Sequence, residues 1–466
     1  MKKQTYFFCG IGGVGMNALA QILLAEGHKV AGSDRAYDMG IEAEKFQTLK
    51  RLGVQLYPQD GSGVGQSQPD FFVVSTAVED TIPDVQAAKE AGLNILHRSE
   101  LLVALSHTGT LITVGGTSGK STTTGMLGHI LSHQGLEPRI IGGAGIVGQE
   151  NPGLSYAAGG NDSGKNQPLS LIEVDESDGS IAKSVPDIAV LNNISQDHKS
   201  MAELRQLFGD YLNAARKGVV LNLDCAESMN LDVQDKKTVT FSLENQQADF
   251  YATNIKPEAD GVCFNLNGET PVKLTVFGWY NVANALAAIA ATTLAGVPAH
   301  AAAQSLETFK GMKRRLERLG TQNGVMVIDD FAHNPHKIAA TLKALKEYPG
   351  RLFIVYQPHG FAPTKMFRNA LVDVFQTHLS PEDKLYMPDI YFVGGTADKT
   401  ISSGDLTAEI AASGLQAYHV PNRADIPAAI LPALRPGDRV CVMGARDNTL
   451  SDFAHNLLHQ LERKSA

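Results

Sequence analysis

The chain has 466 residues, of which 43% are hydrophobic and 19% charged, and its formal net charge is -9. This length exceeds one ordinary domain and, at roughly 100 to 200 residues per domain, predicts three. The negative charge and the lack of a Lys- or Arg-rich run exclude a surface that wraps nucleic acid, whereas small charged ligands remain compatible.

Strands and helices alternate along the first hundred residues. The predicted elements are strands at residues 6–9, 29–31 and 71–75 and helices at residues 16–26 and 84–91. Such alternation is typical of a parallel, doubly wound sheet. We therefore predict a Rossmann-like domain over residues 1–108.

A glycine-rich loop, Gly10-Ile11-Gly12-Gly13-Val14-Gly15, follows the first predicted strand and opens a helix. Its form is that of a cradle for a nucleotide diphosphate, and Asp34, after the second strand, suits a ribose hydroxyl. NAD binding is the default interpretation. Another phosphate ligand and a purely structural tight turn stay open as alternatives.

The strand pattern restarts after residue 110 and predicts a central P-loop ATPase-like domain with a parallel sheet over residues 109–311. Its predicted elements are strands at 111–114, 169–173 and 188–192, a helix at 122–131 and an alanine-rich helix at 281–294. Residues 238–276 are β-rich, with a hairpin signal at Asn267-Gly268. By composition, residues 158–166 form a polar surface loop.

The loop after strand 111–114 carries the strongest signal of a site. Its residues are Gly116, Thr117, Ser118, Gly119, Lys120, Ser121 and Thr122. Glycines let backbone N–H groups converge on a phosphate, Lys120 neutralises the terminal phosphates, and the Ser121 hydroxyl is placed to ligate magnesium. The alternative is a glycine-rich turn with a chance lysine, which the strand-loop-helix context disfavours.

Polar residues close the next two predicted strands of this domain. Glu173 opens an acidic run, and a second polar run ends in Asp197-His198. The carboxyl ends of parallel strands are where such sheets bind ligands. Beside Ser121, these groups could hold a divalent cation against phosphates. A solvated acidic loop and a structural histidine are the alternatives.

A third restart predicts a C-terminal Rossmann-like α/β domain over residues 312–466. Its predicted strands are residues 324–329, 352–356 and 440–443. The runs from Asp329 to Pro335 and from Gln357 to His359 again follow strands.

Two pairs of residues near the second predicted join have two interpretations each. Arg314 and Arg315 fit either an anion clamp or an exposed basic helix face. Asn281 and Asn284 fit either the recognition of a base edge or the capping of the following helix.

The four cysteines, Cys9, Cys225, Cys263 and Cys441, show no C-x-x-C spacing, so neither a zinc site nor a disulfide framework is expected. A reducing cytoplasm fits best. No segment is long and apolar enough for a signal-peptide core or a membrane span, so we expect no membrane insertion. We expect a monomer or a homodimer.

Taken in order, these motifs resemble the Mur ligase superfamily over essentially the whole chain, and most of all its UDP-N-acetylmuramate:L-alanine ligase branch. The resemblance rests on the phosphate loop and on the runs Gly10 to Met16, Gly32 to Asp34, Ser75 to Val78, His97 to Glu100, Glu173 to Asp178, Asp329 to Pro335 and Gln357 to His359. It implies an ATP-dependent ligase of peptidoglycan-precursor synthesis, with ATP and Mg²⁺ or Mn²⁺ as cofactors. The implied reaction joins an amino acid, L-alanine first, to UDP-N-acetylmuramate through an acyl-phosphate.

The resemblance also implies a role for individual residues. The implied catalytic residues are Lys120 on the ATP phosphates, Glu173 and His198 on one magnesium ion with Ser121 on another, and Arg315 on the triphosphate. Asn281 and Asn284 are implied to contact adenine, and Asp330 the ribose. The uridine nucleotide is implied to bind at Gly12, Gly13, Val14, Gly15, Ser33, Asp34, Ser75, Thr76 and Ala77. The implied substrate-side residues are His97, Arg98, His333 and His359.

Several positions depart from the pattern of the alanine-ligase branch. Ser118, Ser121 and Tyr280 replace a usual His, Thr and His, and Ser195-Gln196 replaces an acidic-small pair. Gly360 and Pro363 stand where two arginines are expected near the incoming amino acid. An arginine can bind a carboxylate with a bidentate guanidinium, and glycine and proline cannot. The identity of the amine donor therefore stays open.

The alternatives to an alanine ligase fall into two groups. One keeps the chemistry: a recycling ligase that attaches a ready-made peptide, or a paralogue that uses another amino acid. The other changes the class: an NAD-dependent oxidoreductase built on the Gly10 loop, or a nucleotide-binding regulator that has lost catalysis.

Overall fold

The computed structural model describes the chain apart from residues 1–2, 42, 77, 107–108, 149–168, 177–178, 197–198, 259, 393–398, 448 and 464–466. Ala77, His198 and the predicted surface loop 158–166 therefore lie outside the described residues. The chain divides into a first unit, Met1–Asn254, Phe264–Lys273 and Tyr280–Phe309, and a second unit, Ile255–Cys263, Leu274–Trp279 and Lys310–Ala466.

A five-stranded parallel sheet forms the first part of the first unit. Its strands are β1 Thr5–Cys9, β2 Lys29–Ser33, β3 Gln55–Tyr57, β4 Phe71–Val74 and β5 Asn94–His97. Its helices are α1 Val14–Ala25, α2 Arg35–Asp38, α3 Ala43–Arg51, α4 Ser62–Ser67, α5 Pro83–Glu90 and α6 Arg98–Ser106.

The strand order β3-β2-β1-β4-β5 confirms the predicted doubly wound sheet. The central strand is covered on both faces, since Phe7 and Phe8 are fully buried although neighbouring side chains of a strand point to opposite faces. The chain order reverses between β1 and β4, so the carboxyl end of β1 is the expected ligand crevice.

A nine-stranded sheet follows within residues 110–274. Its strands are β6 Thr110–Gly115, β7 Arg139–Ile141, β8 Leu169–Glu173, β9 Ile188–Leu191, β10 Gly218–Asn222, β11 Lys237–Ser242, β12 Phe250–Glu258, β13 Gly261–Leu266 and β14 Thr270–Leu274. The helices of this region are α7 Lys120–His133, α8 Ser180–Lys183, α9 Met201–Asn213, α10 Ala226–Met229, α11 Tyr280–Leu294 and α12 Ala299–Leu306.

The strand order of this sheet is β14-β13-β12-β11-β10-β9-β6-β8-β7, with parallel pairing from β7 through β12. Strand β6, which leads into the phosphate loop, lies between β8 and β9. The loops after these three strands therefore emerge at one edge. The predicted turn at Asn267-Gly268 is confirmed between β13 and β14, with Asn267 at φ 51° and Gly268 at φ 79°.

The second unit contains a six-stranded sheet in the order β15-β16-β20-β17-β18-β19. Its strands are β15 Glu317–Gln322, β16 Val325–Asp330, β17 Leu352–Gln357, β18 Lys384–Met387, β19 Gln416–His419 and β20 Arg439–Gly444. Its helices are α13 Pro335–Lys346, α14 Phe361–Met366, α15 Arg368–His378, α16 Ser403–Ala411, α17 Ile426–Ile430 and α18 Thr449–Arg463, with short 3-10 turns at Arg423–Asp425 and Leu431–Ala433.

The predicted α/β class is confirmed for this sheet, with one addition that the sequence did not predict. Strand β15 pairs with β16 in the antiparallel sense, whereas the other pairs are parallel. Strands β17 and β20 are buried along their whole length, as a sheet covered on both faces requires.

Ion pairs and hydrogen bonds join the five-stranded and nine-stranded sheets within the first unit. Arg139, which opens β7, lies 2.7 Å from Glu26 and donates to the Leu105 carbonyl at 3.1 Å. Lys183 at the end of α8 lies 3.5 Å from Glu100 on α6. Among the described residues, no helix is long and apolar enough to cross a membrane.

Candidate active site

The loop between β6 and α7 is held open by two glycines with positive φ, Gly116 at 128° and Gly119 at 81°. A Cβ at Gly119 would lie 2.4 Å from Asn284 Oδ1 and 2.8 Å from Asn192 Nδ2. A Cβ at Gly116 would lie 3.0 Å from the Asn193 carbonyl. Both positions therefore require glycine for conformation and for space. Helix α7 begins at Lys120, two residues before the predicted start.

Lys120 is largely buried beside two carboxylates of the acidic run. Its Nζ lies 3.1 Å from Asp175 Oδ2 and 3.2 Å from Glu176 Oε2, and it donates to the Gly116 carbonyl at 2.7 Å. Burial lowers the pKa of Lys120, but the charges of Asp175 and Glu176 outweigh burial and raise it. The ammonium therefore stays charged and turned back onto the phosphate loop.

Ser121 and Glu173, two members of the predicted metal set, are in contact. The Ser121 hydroxyl donates to Glu173 Oε1 at 3.0 Å, and the Gly143 N–H donates to Glu173 Oε2 at 2.6 Å. Within the described residues, no three His, Cys, Asp or Glu side chains are grouped closely enough to hold a metal ion. The third member of the set, His198, lies outside those residues.

The strand-end asparagines Asn192 and Asn193 hold the phosphate loop in place. Asn193 Oδ1 accepts from the Ser118 N–H at 2.9 Å, and the Thr117 N–H donates to the Asn193 carbonyl at 3.0 Å. Asn192 Nδ2 donates to Thr123 Oγ1 at 2.9 Å. From the sequence, the acidic run that contains Asp175 and Glu176 was expected to help hold a divalent cation, whereas Asn192 and Asn193 were given no role. The sequence signal that could have found these residues is their position at the ends of predicted strands.

Asn281 and Asn284 lie inside α11 rather than at its cap, so the capping interpretation is wrong for both. Both side chains are buried, with 4% and 6% exposed. Asn284 Nδ2 donates to Asn281 Oδ1 at 2.8 Å, and Asn284 Oδ1 accepts from Thr123 Oγ1 at 3.2 Å. The structure thus brings this amide pair against the phosphate loop. It leaves their contact with adenine a prediction.

The Gly10 loop is braced by the side chain of Asp34. Asp34 Oδ2 accepts from the Gly12 N–H at 2.8 Å, and its Oδ1 accepts from the Ala36 N–H at 2.8 Å, which caps α2. Lys45 Nζ donates to the Gly12 carbonyl at 3.2 Å. A carboxylate and an ammonium group therefore flank the turn that opens α1.

Other residues of the predicted uridine site differ in exposure. Ser33 is fully buried and donates its hydroxyl to Asp84, a carboxylate that also accepts the Gly61 N–H at 2.7 Å. Burial raises the pKa of Asp84, and these hydrogen bonds oppose the shift. Thr76 is exposed and Ser75 half-buried just beyond β4, at the carboxyl edge of the sheet.

His97 and Arg98 connect the first sheet to the acidic run. His97 Nδ1 lies 2.8 Å from Ser99 Oγ, and its Nε2 is buried with no partner among the described residues. Arg98 packs on Gly15, where a Cβ would lie 2.8 Å from Nη1. Burial lowers the pKa of Arg98, and the charges of Asp175 and Glu173 oppose that shift. The positive charge of Arg98 therefore interacts with both carboxylates.

In the second unit, Asp330 fixes the turn that carries Arg315. Asp330 is 6% exposed and accepts from the Leu316 N–H at 2.7 Å, the Ala332 N–H at 2.8 Å and Thr341 Oγ1 at 3.0 Å. Burial raises the pKa of Asp330, although these donors oppose the shift.

The two arginines of this turn lie outside any helix, so the exposed-helix interpretation is wrong. Arg314 has φ 56° and is bound to Asp329 at 3.4 Å and to the Gly444 carbonyl at 2.7 Å. The Arg315 guanidinium lies 4.9 Å from the centre of the Phe331 ring. Arg315 is thus the arginine of the pair without a carboxylate partner among the described residues.

His333 and His359 come together at the carboxyl ends of β16 and β17. Their ring centres are 5.6 Å apart at an interplanar angle of 60°. Burial lowers the pKa of both, that of His333 to about 4. The structure thus unites two of the four predicted substrate-side residues here and the other two, His97 and Arg98, in the first unit.

The chain matches three domain families along its length: "Mur ligase family, catalytic domain" over residues 5–109, "Mur ligase middle domain" over 114–292, and "Mur ligase, glutamate ligase domain" over 314–446. A UDP-N-acetylmuramate--L-alanine ligase of Trichormus variabilis is 33% identical, covering 95% of this chain and 94% of the relative. One of Dictyoglomus turgidum is also 33% identical, covering 96% and 95%.

Two solved structures share the fold at 23% identity. The UDP-N-acetylmuramate-alanine ligase of Thermotoga maritima superposes with a TM-score of 0.80, covering 99% of this chain and 100% of that one. A murein peptide ligase of Psychrobacter arcticus superposes with a TM-score of 0.68, covering 98% and 99%. The domain matches and the identity to relatives over nearly the whole chain lead to one conclusion: the chain belongs to the Mur ligase family.

Proposed function

We propose that the chain is an ATP-dependent ligase that joins L-alanine to the carboxylate of UDP-N-acetylmuramate through an acyl-phosphate. The observation that carries the proposal is Lys120, a buried ammonium at the start of α7 beside the glycine loop. Its carboxylate partners can be exchanged for the phosphates of ATP. The names of the relatives, each a UDP-N-acetylmuramate--L-alanine ligase, support the choice of substrates.

The residues present fit ATP and a divalent cation. Gly116 and Gly119 have positive φ and no room for a Cβ, so the loop can make the tight turn that lets backbone N–H groups converge on phosphate oxygens. Ser121 and Glu173, 3.0 Å apart, offer hydroxyl and carboxylate oxygens, the donors that Mg²⁺ or Mn²⁺ prefers. We propose that Ser121 would hold one metal ion and that Glu173 and His198 would hold a second. When bound, the metal would neutralise charge on the phosphates.

The protein's part in the first step is to bring two anions together. We propose that Lys120 leaves Asp175 and Glu176 for the β- and γ-phosphates, while Asn281 and Asn284 contact adenine. As the resemblance implies, Arg315 would contact the triphosphate and Asp330 the ribose. The substrate carboxylate then attacks the γ-phosphorus and ADP leaves. Positive groups fixed before the reaction stabilise the charge that builds up in this transition state.

The acceptor nucleotide would bind at the crevice outside β1. Gly12, Gly13, Val14 and Gly15 open α1 there, so backbone N–H groups at the start of a helix face the crevice, as a diphosphate requires. In the proposal Asp34, Ser33, Ser75, Thr76 and Ala77 form the rest of the uridine site. Arg98 lies against Gly15 and senses Asp175 and Glu173, so it connects this crevice to the ATP site.

The amine donor is the finer part of the proposal. Gly360 opens α14 at φ 68° and donates its N–H to the Tyr391 carbonyl at 2.9 Å. An arginine at position 360 would be strained at this φ. The local backbone therefore disfavours a bidentate guanidinium here, in addition to the change of side chain. A short peptide or another amino acid in place of L-alanine is the second candidate, and these glycine and proline positions favour it.

We place the enzyme in the cytoplasm as a monomer or homodimer, acting on small molecules without nucleic acid or membrane insertion. Phosphate release with ATP, Mg²⁺ and UDP-N-acetylmuramate, measured across L-alanine, glycine, L-serine and a murein tripeptide, tests the function. L-alanine should give the highest kcat/KM. Turnover with the tripeptide alone would select the recycling reaction, and no turnover with any donor would end the proposal. Saturable NADH binding would revive the oxidoreductase.

A further inference from the structure

The inference concerns a chain of three polar side chains at the end of β5, all within the first unit. His97 closes β5 opposite Val74, so it lies beside the strand end that leads to Ser75. Ser99 follows in α6 and is fully buried. Lys183 reaches Ser99 from α8. His97 thus stands at the carboxyl edge of the five-stranded sheet, where such sheets bind ligands.

The proton positions along this chain follow from its hydrogen bonds. The Ser99 N–H donates to His97 Nδ1 at 3.3 Å, so Nδ1 must present a lone pair rather than a proton. The Ser99 hydroxyl, 2.8 Å from Nδ1, is therefore a second donor to it. Lys183 Nζ can only donate, and it does so to Ser99 Oγ at 3.2 Å. The ring proton of His97 is consequently on Nε2.

The surrounding charges keep this ring neutral. Burial lowers the pKa of His97, the positive charges of Lys183 and Arg98 add to the shift, and Glu100 opposes it. Glu100 also accepts the His97 backbone N–H at 2.9 Å and lies 3.5 Å from Lys183. A second ring proton, on Nδ1, would point at the N–H of Ser99. The imidazole is therefore held as the neutral tautomer that donates from Nε2.

The Nε2–H group itself has an unmet hydrogen-bonding need. It is buried, and no partner for it occurs in the described part of the chain. Unpaired buried donors are rare and costly, and an exception calls for an absent ligand group or water. The missing atom must be an acceptor, and two neighbouring cations, Lys183 and Arg98, favour an anionic one. Arg98 packs on Gly15, so the ring stands next to the glycine loop that opens α1.

We infer that His97 donates from Nε2–H to an anionic oxygen of the nucleotide acceptor, and that Ser99 and Lys183 are positioning residues that fix this tautomer. The inference rests on the proposed function, which supplies the acceptor. No proton is transferred, because the neutral ring keeps its proton in the hydrogen bond. The diphosphate and the lactyl carboxylate of the acceptor both offer such an oxygen, and the choice of nucleotide in the experiment distinguishes them.

Titration calorimetry with UDP, UDP-N-acetylglucosamine and UDP-N-acetylmuramate tests the hydrogen bond. His97→Ala should raise the Kd for UDP-N-acetylmuramate about 10- to 100-fold, the effect of losing a hydrogen bond to a charged group. His97→Gln, whose amide N–H can replace Nε2–H, should stay within about threefold of the wild type. A loss shared by UDP assigns the bond to the diphosphate. A loss confined to UDP-N-acetylmuramate assigns it to the carboxylate, which the other two nucleotides lack.

The tautomer supplies a readout that a merely structural role would not move. In ¹H–¹⁵N spectra of the chain labelled with ¹⁵N-histidine, the His97 signals are those absent from His97→Gln. They should show protonated Nε2 and bare Nδ1, and the Nε2–H signal should shift when nucleotide binds. Ser99→Ala and Lys183→Met should each populate the other tautomer and raise the Kd about three- to tenfold.

Matched controls come from exposed positions of the same unit. His300→Ala and Lys237→Met should leave the Kd for each nucleotide and the His97 signals unchanged. The Kd for ATP should be unchanged in every variant, because the phosphate loop lies on the other sheet; this measurement shows that the variants are folded.

An unchanged Kd for all three nucleotides in His97→Ala, or a wild-type ring protonated on Nδ1, would overturn the inference while leaving the proposed function intact. Failure of the wild type to bind any of the three nucleotides would instead remove the acceptor, and the proposed function would fail first.

Discussion

At the scale of single residues, Lys120 combines burial with a positive charge that acidic groups must balance. Its side chain is 10% exposed, and its ammonium lies against Asp175 and Glu176, of which only Glu176 is similarly buried. An ion pair this far from water recovers its desolvation cost only with good partners. Phosphates supply more negative charge than the two carboxylates, so exchange on ATP binding is favoured.

Lys120→Ala should abolish turnover while leaving uridine-nucleotide binding nearly intact, because the two predicted sites lie on different sheets. Phosphate release and titration calorimetry with UDP-N-acetylmuramate measure the two effects. Lys310→Ala, at an exposed position, is the control and should behave as the wild type. Parallel loss of both activities in Lys120→Ala would show that the sites are not separate.

Gly119→Ala tests the shape of the phosphate loop. The added Cβ would meet Asn284 Oδ1 at 2.4 Å, at a φ of 81° that disfavours any side chain. Gly135→Ala is a matched control, because Gly135 has φ 73° with nothing within 4 Å of the added carbon. Gly135→Ala should cost only the backbone strain of about 1 kcal/mol.

Gly119→Ala should lower stability by about 1–3 kcal/mol more than the control and raise the KM for ATP at least tenfold. Thermal unfolding and initial rates measure these effects. Identical behaviour of the two variants would mean that the loop is not constrained by Asn284.

At the scale of elements, strands flanked by glycine loops were predictable, since β1, β6 and β16 show continuous apolar runs followed by polar turns. Strands β3 and β19 were not, because their side chains are half exposed and short edge strands carry weak patterns. The antiparallel β15 was also missed, since its sequence Glu317–Gln322 is mostly polar and gains its order from pairing with β16.

Asp383 connects three elements of the second unit. It is 2% exposed, pairs with Lys346 on α13 and accepts the Leu352 N–H of β17 at 2.8 Å, just before β18. Burial raises the pKa of Asp383, but the hydrogen bonds from Lys346, Ser380 and Leu352 outweigh burial and lower it below 3.8. The folded chain therefore favours the deprotonated carboxylate.

This stabilisation is present above the unfolded pKa of 3.8 and is lost as the pH falls through the lower folded value. Asp383→Asn should lower the unfolding free energy near pH 7 by about 1–3 kcal/mol and flatten the acid limb of a stability-versus-pH curve. Urea unfolding at several pH values measures it. Asp373→Asn, at an exposed position on α15, is the control; matching curves for both variants would refute the linkage.

Arg439 caps the end of α13 from inside the second unit. It is 5% exposed, and its guanidinium donates to the Leu345 carbonyl and, at 2.7 Å, to the Tyr348 carbonyl. Arg439→Met should cost at least about 2 kcal/mol, because these buried carbonyls lose their donor. The exposed Arg435→Met is the control. Thermal unfolding compares the two variants, and equal midpoint temperatures would contradict the capping role of Arg439.

At the scale of the whole molecule, the proximity of the loops at the candidate site was predictable from the sequence, whereas the individual contacts between them were not. Lys120, Ser121 and Glu173 were predictable because a glycine loop and strand ends constrain them locally. Asn192 and Asn193 were missed because their contacts to the phosphate loop span 74 and 75 residues of sequence. The pairing of His333 with His359 likewise depends on two strands being placed side by side around β20.

The binding of the amine donor involves positions that differ from the alanine-ligase branch. Gly360 and Pro363 stand where the alanine-ligase branch is expected to have two arginines. The positive φ at Gly360 disfavours an arginine at that position. The activation chemistry does not depend on this choice, since it uses residues of the phosphate loop and the acidic run. The central claim is therefore that the nucleotide's carboxylate is activated as an acyl-phosphate.

Oxygen transfer tests that claim most directly. UDP-N-acetylmuramate labelled with ¹⁸O in its lactyl carboxylate is turned over with ATP, Mg²⁺ and L-alanine, and the released phosphate is examined by mass spectrometry. An acyl-phosphate pathway predicts that each released phosphate carries one carboxylate oxygen, in step with amide formation. Amide formation with unlabelled phosphate would contradict the account.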